Sequence, residues 1–320
     1  MNRYFRTMQS IQKAYSQDLF FSHELANTRL LETLCRYVRW TSHAQKKQAK
    51  KDKLILKALT DIVQPVLNQY HDSDNHGIPV ENAPIWVFWW SGVKDAPALV
   101  QKCVSSIKDN ADNHPVKIID RNNINEYLDV DPIILEKVEK KFICLANFSD
   151  YVRFSLLNRY GGMWIDATIL LSGTIPEHYF DRPLFTCNSD SVSTFISIGR
   201  WTAFVFGGRE GHVLFQYMQD AFELYWKKQD FAIDYLLVDY LIRLAYENIP
   251  RIKDDIDAIP INNLHRNDLR AAMNRGEPAE KFDAYIFPDT CFNKLSWREK
   301  YQLVNPEGTR SVYAEFLDRY

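Results

Sequence analysis

The chain has 320 residues, of which 46% are hydrophobic and 14% are aromatic, and its formal net charge is −2. This much apolar sequence is enough for a large core, so we expect one main domain with additions. A net charge so close to zero creates no overall field that favours nucleic acid, and we therefore expect no nucleic-acid partner.

The cysteines exclude two further classes of protein. They are Cys35, Cys103, Cys144, Cys187 and Cys291. Their number is odd and no two form a Cys-X-X-Cys pair, so neither a disulfide framework nor a zinc site is indicated. The first residues lack the apolar core of a signal peptide, and no stretch of 18 apolar residues predicts a transmembrane helix. We therefore expect a reducing, cytoplasmic environment.

Residues 1–80 are predicted to form an N-terminal helical region. It contains a basic run made of Lys46, Lys47, Lys50, Lys51 and Lys53. A solvated helix face is the simpler interpretation of this run. The alternative is a peripheral contact with anionic lipid head groups on the inner face of the plasma membrane. Residues 71–83 are polar, contain glycine and proline, and are predicted to be a linker.

Residues 81–320 alternate short apolar runs with helical patterns. The predicted strands are 85–90, 116–119 and 163–171, and the predicted helices are 98–107, 124–127, 132–138, 149–160, 210–227 and 232–246. Strands that alternate with helices predict an α/β domain with a mainly parallel, Rossmann-like sheet.

The most informative segment is residues 149–170, SDYVRFSLLNRYGGMWIDATIL. Gly161 and Gly162 end the predicted helix, because glycine accepts the left-handed conformation that follows a helix. The next strand is apolar except for Asp166, and burying an isolated carboxylate is unfavourable. Ligands of open α/β sheets lie beyond the carboxyl ends of strands, so we expect Asp166 to meet a cation, a metal or water there.

Three segments together resemble GT-A glycosyltransferases whose metal motif is Asp-X-Asp. The likeness is greatest to the capsular polysaccharide synthesis group, which is related to glycosyltransferase 32 proteins and clostridial glucosylating toxins. The segments are IWVFWWSG at 85–92, the series Asp150, Arg153, Gly161-Gly162, Trp164 and Asp166, and NKLSW at 293–297. They span residues 84 to about 315, so the first 80 residues are expected to lie outside the resemblance.

The resemblance implies a GT-A-like fold and a metal-dependent hexosyltransferase. It implies that Asp166 binds Mn²⁺ or Mg²⁺, since a hard cation neutralises the charge of a diphosphate leaving group. Thr168 stands where the fuller pattern has a second acid. A hydroxyl is a weaker ligand than a carboxylate, so we expect Thr168 to hold the metal less firmly.

The resemblance also implies a donor site. Asp150 and Arg153 are expected to hold hydroxyl groups of the donor sugar and, with Asp166, to be the catalytic residues. The alternative for the first two is an exposed ion pair one helical turn apart. Trp89, just before the end of the predicted strand, matches the base-stacking position that the resemblance implies. Strand alternation sends Trp86 and Trp90 to the other face, and the alternative for all three is core packing. The further expected donor contacts are Trp164, Asn293, Lys294, Ser296 and Trp297.

The implied function is transfer of a sugar from a nucleotide sugar, specifically a UDP-sugar, with retention of the anomeric configuration. The acceptor would be a glycan or lipid-linked saccharide in bacterial capsule or lipopolysaccharide synthesis. Of Asp234 and Asp239, on the predicted helix 232–246, one is a candidate for acceptor contact, although such acids are more often at the surface. Two alternatives stay open: a toxin-like enzyme that glycosylates a protein, and a non-catalytic nucleotide-sugar-binding protein.

Overall fold

The computed structural model describes residues 3–37, 41–189 and 196–320 of the chain. The described helices are α1 (Arg3–Phe21), α2 (His23–Tyr37), α3 (Thr41–Tyr70), α4 (Ala98–Asp109), α5 (Ile124–Tyr127), α6 (Pro132–Glu139), α7 (Leu145–Tyr160), α8 (Val213–Lys228), α9 (Leu237–Asn248), α10 (Pro250–Asp257), α11 (Asp268–Arg275) and α12 (Val312–Arg319). The described strands are β1 (Ile85–Phe88), β2 (Val116–Ile119), β3 (Gly162–Ile165), β4 (Ile169–Leu171), β5 (Leu184–Thr186), β6 (Val205–Gly208) and β7 (Phe292–Lys294). Short 3-10 turns cover Val93–Asp95, Glu177–Tyr179 and Ala279–Tyr285.

The N-terminal region is helical, as predicted, and the lysine-rich residues 46–53 lie inside α3. One face of α3 packs against α8 and α9. Ile55, Leu59 and Val63 on this face are fully buried and belong to the same hydrophobic cluster as the buried residues of α7 to α10. The N-terminal helices therefore share a core with the rest of the protein. None of the described helices is long and apolar enough to cross a membrane.

The central sheet has the strand order β2-β1-β3-β6-β5. Strand β1 pairs in parallel with β2 and β3, whereas β6 pairs antiparallel with β3 and β5. Four of the five strands in this described sheet thus run in the same direction, which agrees with the predicted mainly parallel α/β fold. Alternation sends Trp86 and Trp164 to the face covered by α7 and α8, and Val87 and Ile165 to the face covered by α4.

The predicted strand 163–171 is wrong in one respect. The run is divided into β3 and β4, and the turn between them is closed by a hydrogen bond from Ile169 N to Asp166 O of 2.9 Å. Strand β4 leaves the central sheet and pairs antiparallel with β7, where Ile169 lies opposite Lys294. The polar side chains of Asp166 and Thr168 explain the break, because a strand buried on both faces has no place for them.

The glycine pair makes the connection between α7 and β3 as short as the sequence predicts. Gly161 and Gly162 have φ angles of 61° and 91°. A Cβ atom on Gly162 would lie 2.1 Å from the carbonyl oxygen of Pro84, which only glycine avoids. The end of α7 is therefore held against the start of β3, and this fixes the helix relative to the residues that follow the strand.

Candidate active site

Asp150 and Arg153 lie one turn apart on α7 and are buried, with Arg153 only 3% exposed. Arg153 Nη1 donates a hydrogen bond of 2.8 Å to Asp150 Oδ1. Arg153 Nη2 donates to Asp166 Oδ1 over 3.3 Å. The exposed ion pair that the spacing alone allows is therefore not what forms. The arginine instead links two carboxylates, one from the helix and one from the turn after β3.

Asp166 is surrounded by donors. In addition to Arg153, Trp164 Nε1 donates to its Oδ1 over 2.9 Å, and Lys294 Nζ donates to its Oδ2 over 2.8 Å. The Arg153 guanidinium also lies 4.9 Å from the centroid of the Trp164 ring. Burial by itself raises the pKa of Asp166, but the charges of Lys294 and Arg153 outweigh it and leave this pKa below its ordinary value. Asp166 is therefore held as a carboxylate.

Lys294 reaches the same turn from β7. Its Nζ donates to Thr168 Oγ1 over 2.9 Å as well as to Asp166, and it lies 5.0 Å from the centroid of the Phe204 ring. The ammonium group thus lies between the two oxygens that the sequence predicts as metal ligands. Mg²⁺ and Mn²⁺ accept such hard oxygen ligands, with phosphates and water completing the shell. Asp166 and Thr168 fit an ion of this kind on the condition that Lys294 moves away.

No group of three or more histidine, cysteine, aspartate or glutamate side chains with the geometry of a metal site occurs among the described residues. Any ion at Asp166 would therefore need the substrate's own oxygens as ligands, as is common for Mg²⁺ sites that bind phosphates.

A cavity of about 370 Å³ opens in front of these residues. Its lining includes the charged residues Asp150, Arg153, Asp166, Asp239 and Lys294 and the aromatic residues Trp201, Phe204 and Tyr235. This volume lies within the range of small-molecule sites, roughly 300–1,000 Å³. Two charged groups from the helix, one from the turn and one from β7 therefore face a space that can hold a small ligand.

Asp239 on α9 is a residue of the site that the sequence did not clearly predict, because such acids are more often at the surface. It lines the cavity, and its Oδ1 accepts a hydrogen bond of 3.0 Å from Trp201 Nε1. Its partner in the prediction, Asp234, lies in the turn before α9, which begins only at Leu237. There Asp234 Oδ1 accepts the N–H of Leu236. Neither acid has the surface position that seemed more common: Trp201 donates to Asp239, and Arg29 Nη1 donates to Asp234 Oδ2 over 3.0 Å.

Burial changes the protonation of two acids in the cavity wall. It raises the pKa of Asp150 to about 7 against the attraction of Arg153, and the charges of Asp166 and Asp239 add to the rise. It raises the pKa of Asp239 to about 6, which the Trp201 hydrogen bond and Arg153 oppose. Near neutral pH these two acids therefore hold their protons more readily than Asp166 does.

Trp89 and Trp297 bring the first and third sequence segments together. Trp89 follows the end of β1, and its ring meets Trp297 edge to face, with centroids 5.8 Å apart. Trp297 is 44% exposed and so presents an aromatic surface to solvent. Trp86 and Trp90 pack on the opposite side of the sheet from Trp89, as alternation predicts.

The three remaining predicted donor contacts differ from one another in burial and in the groups that they contact. Asn293 is fully buried, and its Nδ2 donates to Ser172 Oγ over 3.0 Å, because alternation along β7 turns it away from its neighbour Lys294. Trp164 is 1% exposed, and its indole N–H donates a hydrogen bond to Asp166. Ser296 is half-buried in the segment beyond β7.

Fold and site together define the class of protein. It is an α/β protein in which a buried arginine lies between two aspartates at the edge of the sheet and faces a cavity. The chain belongs to the capsular polysaccharide synthesis protein family, whose model matches residues 35–315. The match includes α3, so the expectation that the first 80 residues lie outside the family is wrong for this helix. The buried face that α3 shares with α8 and α9 gives the physical reason.

A curated relative is similar to part of the chain. A glycosyltransferase of Aspergillus fumigatus, afumC, is 24% identical over 156 residues, which cover 44% of this chain and 40% of the fungal protein. The chain therefore matches less than half of that relative's length. No solved structure matches the chain.

Proposed function

We propose that this protein is a glycosyltransferase that moves a sugar from a nucleotide sugar, specifically a UDP-sugar, to a saccharide acceptor in bacterial capsule or lipopolysaccharide synthesis. The family assignment and the glycosyltransferase relative support the reaction class. The observation that carries the proposal is the buried pair Asp150 and Arg153, bonded to the half-buried Asp166, beside a cavity of about 370 Å³. A structural ion pair alone does not need a cavity in front of it.

Asp150 and Arg153 are proposed to bind the donor sugar. A carboxylate accepts hydrogen bonds and a guanidinium donates them in a fixed plane, which suits neighbouring hydroxyl groups of a hexose. Asp239, which also lines the cavity, is proposed to add an acceptor for a hydroxyl of the sugar or of the attacking saccharide. Trp89 and Trp297 are proposed to hold the nucleobase, because aromatic rings stack on bases and Trp297 is exposed.

Asp166, with Thr168, is proposed to hold Mn²⁺ or Mg²⁺ together with the donor diphosphate. When bound, such an ion neutralises the charge that develops on the leaving diphosphate. Lys294 is proposed to supply a positive charge for the donor diphosphate. Arg153 and Trp164 keep the Asp166 carboxylate aimed at this position through their hydrogen bonds.

Transfer is proposed to retain the configuration of the sugar. The acceptor oxygen would bond to the anomeric carbon on the face from which the diphosphate leaves. The electrons of the broken bond go to the diphosphate, whose oxygen takes the acceptor's proton. Asp150 and Arg153 would hold the sugar ring during this step.

A lipid-linked acceptor would bring the protein to the membrane surface. Lys46, Lys47 and Lys53 on α3 are proposed to make a peripheral contact with anionic lipids, each at roughly 1 kcal/mol near the surface. Lys50 and Lys51 are already in ion pairs, with Glu24 and Glu32. They are therefore less suited to such a contact.

A panel of nucleotide sugars tests the proposal. Purified protein is melted with each UDP-sugar, with other nucleotide sugars and with UDP alone, in the presence and absence of Mn²⁺, because a ligand of the native state raises the melting temperature. Each stabilising donor is then assayed for hydrolysis and transfer. A UDP-sugar that stabilises the protein and is consumed supports the proposal. Stabilisation without turnover would favour a non-catalytic nucleotide-sugar-binding protein, and transfer to a protein acceptor alone would favour the toxin-like alternative.

A further inference from the structure

Lys294 occupies a position in the site with the geometry of a bound cation. Its Nζ lies 2.8 Å from Asp166 Oδ2 and 2.9 Å from Thr168 Oγ1, and the aromatic face of Phe204 covers it at 5.0 Å. A carboxylate, a hydroxyl and an aromatic ring are three groups that attract a positive charge. The ammonium therefore sits where an ion shared by Asp166 and Thr168 would have to sit.

A divalent ion and the ammonium cannot both occupy this position. Two cations a few ångströms apart repel strongly inside a protein, where screening is weak. Among the described residues, Asp166 is the acid that forms an ion pair with Lys294. Its other oxygen, Oδ1, is already bonded to Arg153 and Trp164. Metal binding to the protein alone must therefore break the contacts of Lys294 without offering it a new partner.

The donor diphosphate offers that partner. Lys294 lines the cavity, and its side chain is 20% exposed, so its flexible stem can turn the ammonium towards a ligand there. We propose that Lys294 is the resident cation of the Asp166–Thr168 site, and that it gives way to the divalent ion only when a nucleoside diphosphate accepts its ammonium group. The proposal rests on the metal and donor sites of the proposed function.

Ordered binding follows from this exchange. The nucleoside diphosphate and the ion should each raise the protein's affinity for the other, and by the same factor, because coupling between two ligands is reciprocal. The protein would then not bind divalent metal ions in the absence of the donor. Its resting site would remain neutralised by its own side chain.

The test is direct measurement of Mn²⁺ binding by electron paramagnetic resonance, with and without UDP, for the wild-type protein and Lys294→Met. Methionine keeps much of the length of lysine but removes the ammonium. The wild type should bind Mn²⁺ only in the presence of UDP. Lys294→Met should bind Mn²⁺ without UDP at least about tenfold more tightly than the wild type, and its coupling factor between the two ligands should fall about tenfold.

Two further variants separate the exchange from a general change of charge. Arg266→Gln removes a cation from the segment next to β7, where the Arg266 carbonyl oxygen accepts the backbone N–H of Lys294 at 2.6 Å. This variant should behave like the wild type, because the ammonium stays in place. Lys294→Arg keeps a cation beside Asp166 and should retain the requirement for UDP.

The outcomes distinguish failure of this inference from failure of the proposed function. If wild type and Lys294→Met bind Mn²⁺ with the same affinity and the same dependence on UDP, the exchange is refuted while the metal site stands. If Arg266→Gln raises Mn²⁺ affinity as much as Lys294→Met does, the effect is general electrostatics and the exchange is again refuted. If no variant binds Mn²⁺ even with saturating UDP, the metal site of the proposed function fails together with the exchange.

Discussion

Two arginines in this protein, the buried Arg153 and the half-buried Arg29, have the same kinds of neighbours but lie in different parts of the fold. Arg153 contacts Asp150 and Asp166, and Lys294 joins the group through Asp166. We name these four residues the sheet-edge cluster. Each member lines the cavity beyond the end of β3.

The second group consists of Arg29, Asp18, Asp234 and Lys51, which we name the helix cluster. Arg29 Nε lies 2.7 Å from Asp18 Oδ2, its Nη1 donates to Asp234 Oδ2 over 3.0 Å, and Lys51 Nζ lies 3.6 Å from Asp234. These residues come from α1, α2, α3 and the turn before α9. The cluster therefore ties the three N-terminal helices to a segment that also borders the cavity.

The difference lies in what else each cluster bonds. Arg29 donates to the backbone oxygen of Ile233 over 2.7 Å, and Asp234 accepts a backbone N–H, so the helix cluster fixes the course of the chain. Asp18 and Arg29 also border a space of about 200 Å³ between α1 and α2, but no strand of the sheet ends there. Position at the carboxyl ends of strands, and not residue type, is the reason why we propose the sheet-edge cluster as the active site.

The largest expected effect is on catalysis at the sheet-edge cluster. Asp166→Asn keeps the size and the hydrogen-bond acceptor that Trp164 needs, but it removes the negative charge that binds a cation. Transfer should fall at least about 100-fold, with a melting temperature close to that of the wild type. An assay with saturating Mn²⁺ and donor measures this. Turnover at the wild-type rate would remove Asp166 from the metal site.

The converse change in the helix cluster should affect stability. Arg29→Met leaves Asp18 and Asp234 buried without their common partner. We expect a loss of roughly 2 kcal/mol in the free energy of unfolding, below the range for fully buried pairs because Arg29 is 21% exposed. Urea unfolding measures the loss, and the rate of transfer per folded molecule should be unchanged. A variant as stable as the wild type but inactive would refute the structural role.

Trp89→Ala tests the base site, which neither cluster forms. Loss of one stacking ring should weaken UDP binding by about 1–3 kcal/mol, measured by calorimetry. If a folded Trp89→Ala protein binds UDP as the wild type does, the stacking assignment fails.

Asp150→Ala should weaken binding of the UDP-sugar without affecting binding of UDP, because the helix is proposed to contact the sugar.

The smallest expected effect is on the pH dependence of stability. Burial raises the pKa of Asp239 to about 6, above its unfolded value, so its protonation stabilises the fold at low pH and this contribution is lost as pH rises through 6. Asp239→Asn retains an acceptor for Trp201 but cannot titrate. The fall in melting temperature between pH 5 and pH 7.5 should therefore be smaller in the variant by about 2 °C. The same pH dependence in both proteins would show that Asp239 is not held protonated.

The sequence predicts the sheet-edge cluster better than the helix cluster for a physical reason. Asp150, Arg153 and Asp166 lie within one helix, one turn and one short strand, so their order along the chain nearly determines their arrangement. Arg29 and Asp234 meet only because α3 packs on α8 and α9, which no local pattern encodes. The same holds for Asp239 and its indole partner.

The position of Lys294 shows a second limit of prediction. Its motif NKLSW indicates a contact with the donor, but not that the ammonium lies between Asp166 and Thr168. That contact depends on the register of β4 against β7, and the break of the run 163–171 that creates β4 was itself not predicted. Strand pairing across more than a hundred residues is not readable from periodicity.

One pair of variants tests the central claim most directly. Asp150→Asn and Asp18→Asn each replace a buried aspartate beside an arginine with its neutral isostere, one in each cluster. Transfer and thermal unfolding are measured side by side under the same donor and acceptor concentrations. We predict that Asp150→Asn lowers transfer at least about 100-fold, while Asp18→Asn stays within about twofold of the wild type per folded molecule. Transfer at the wild-type rate in Asp150→Asn, or an equal loss in both variants, would contradict the assignment of the sheet-edge cluster as the active site.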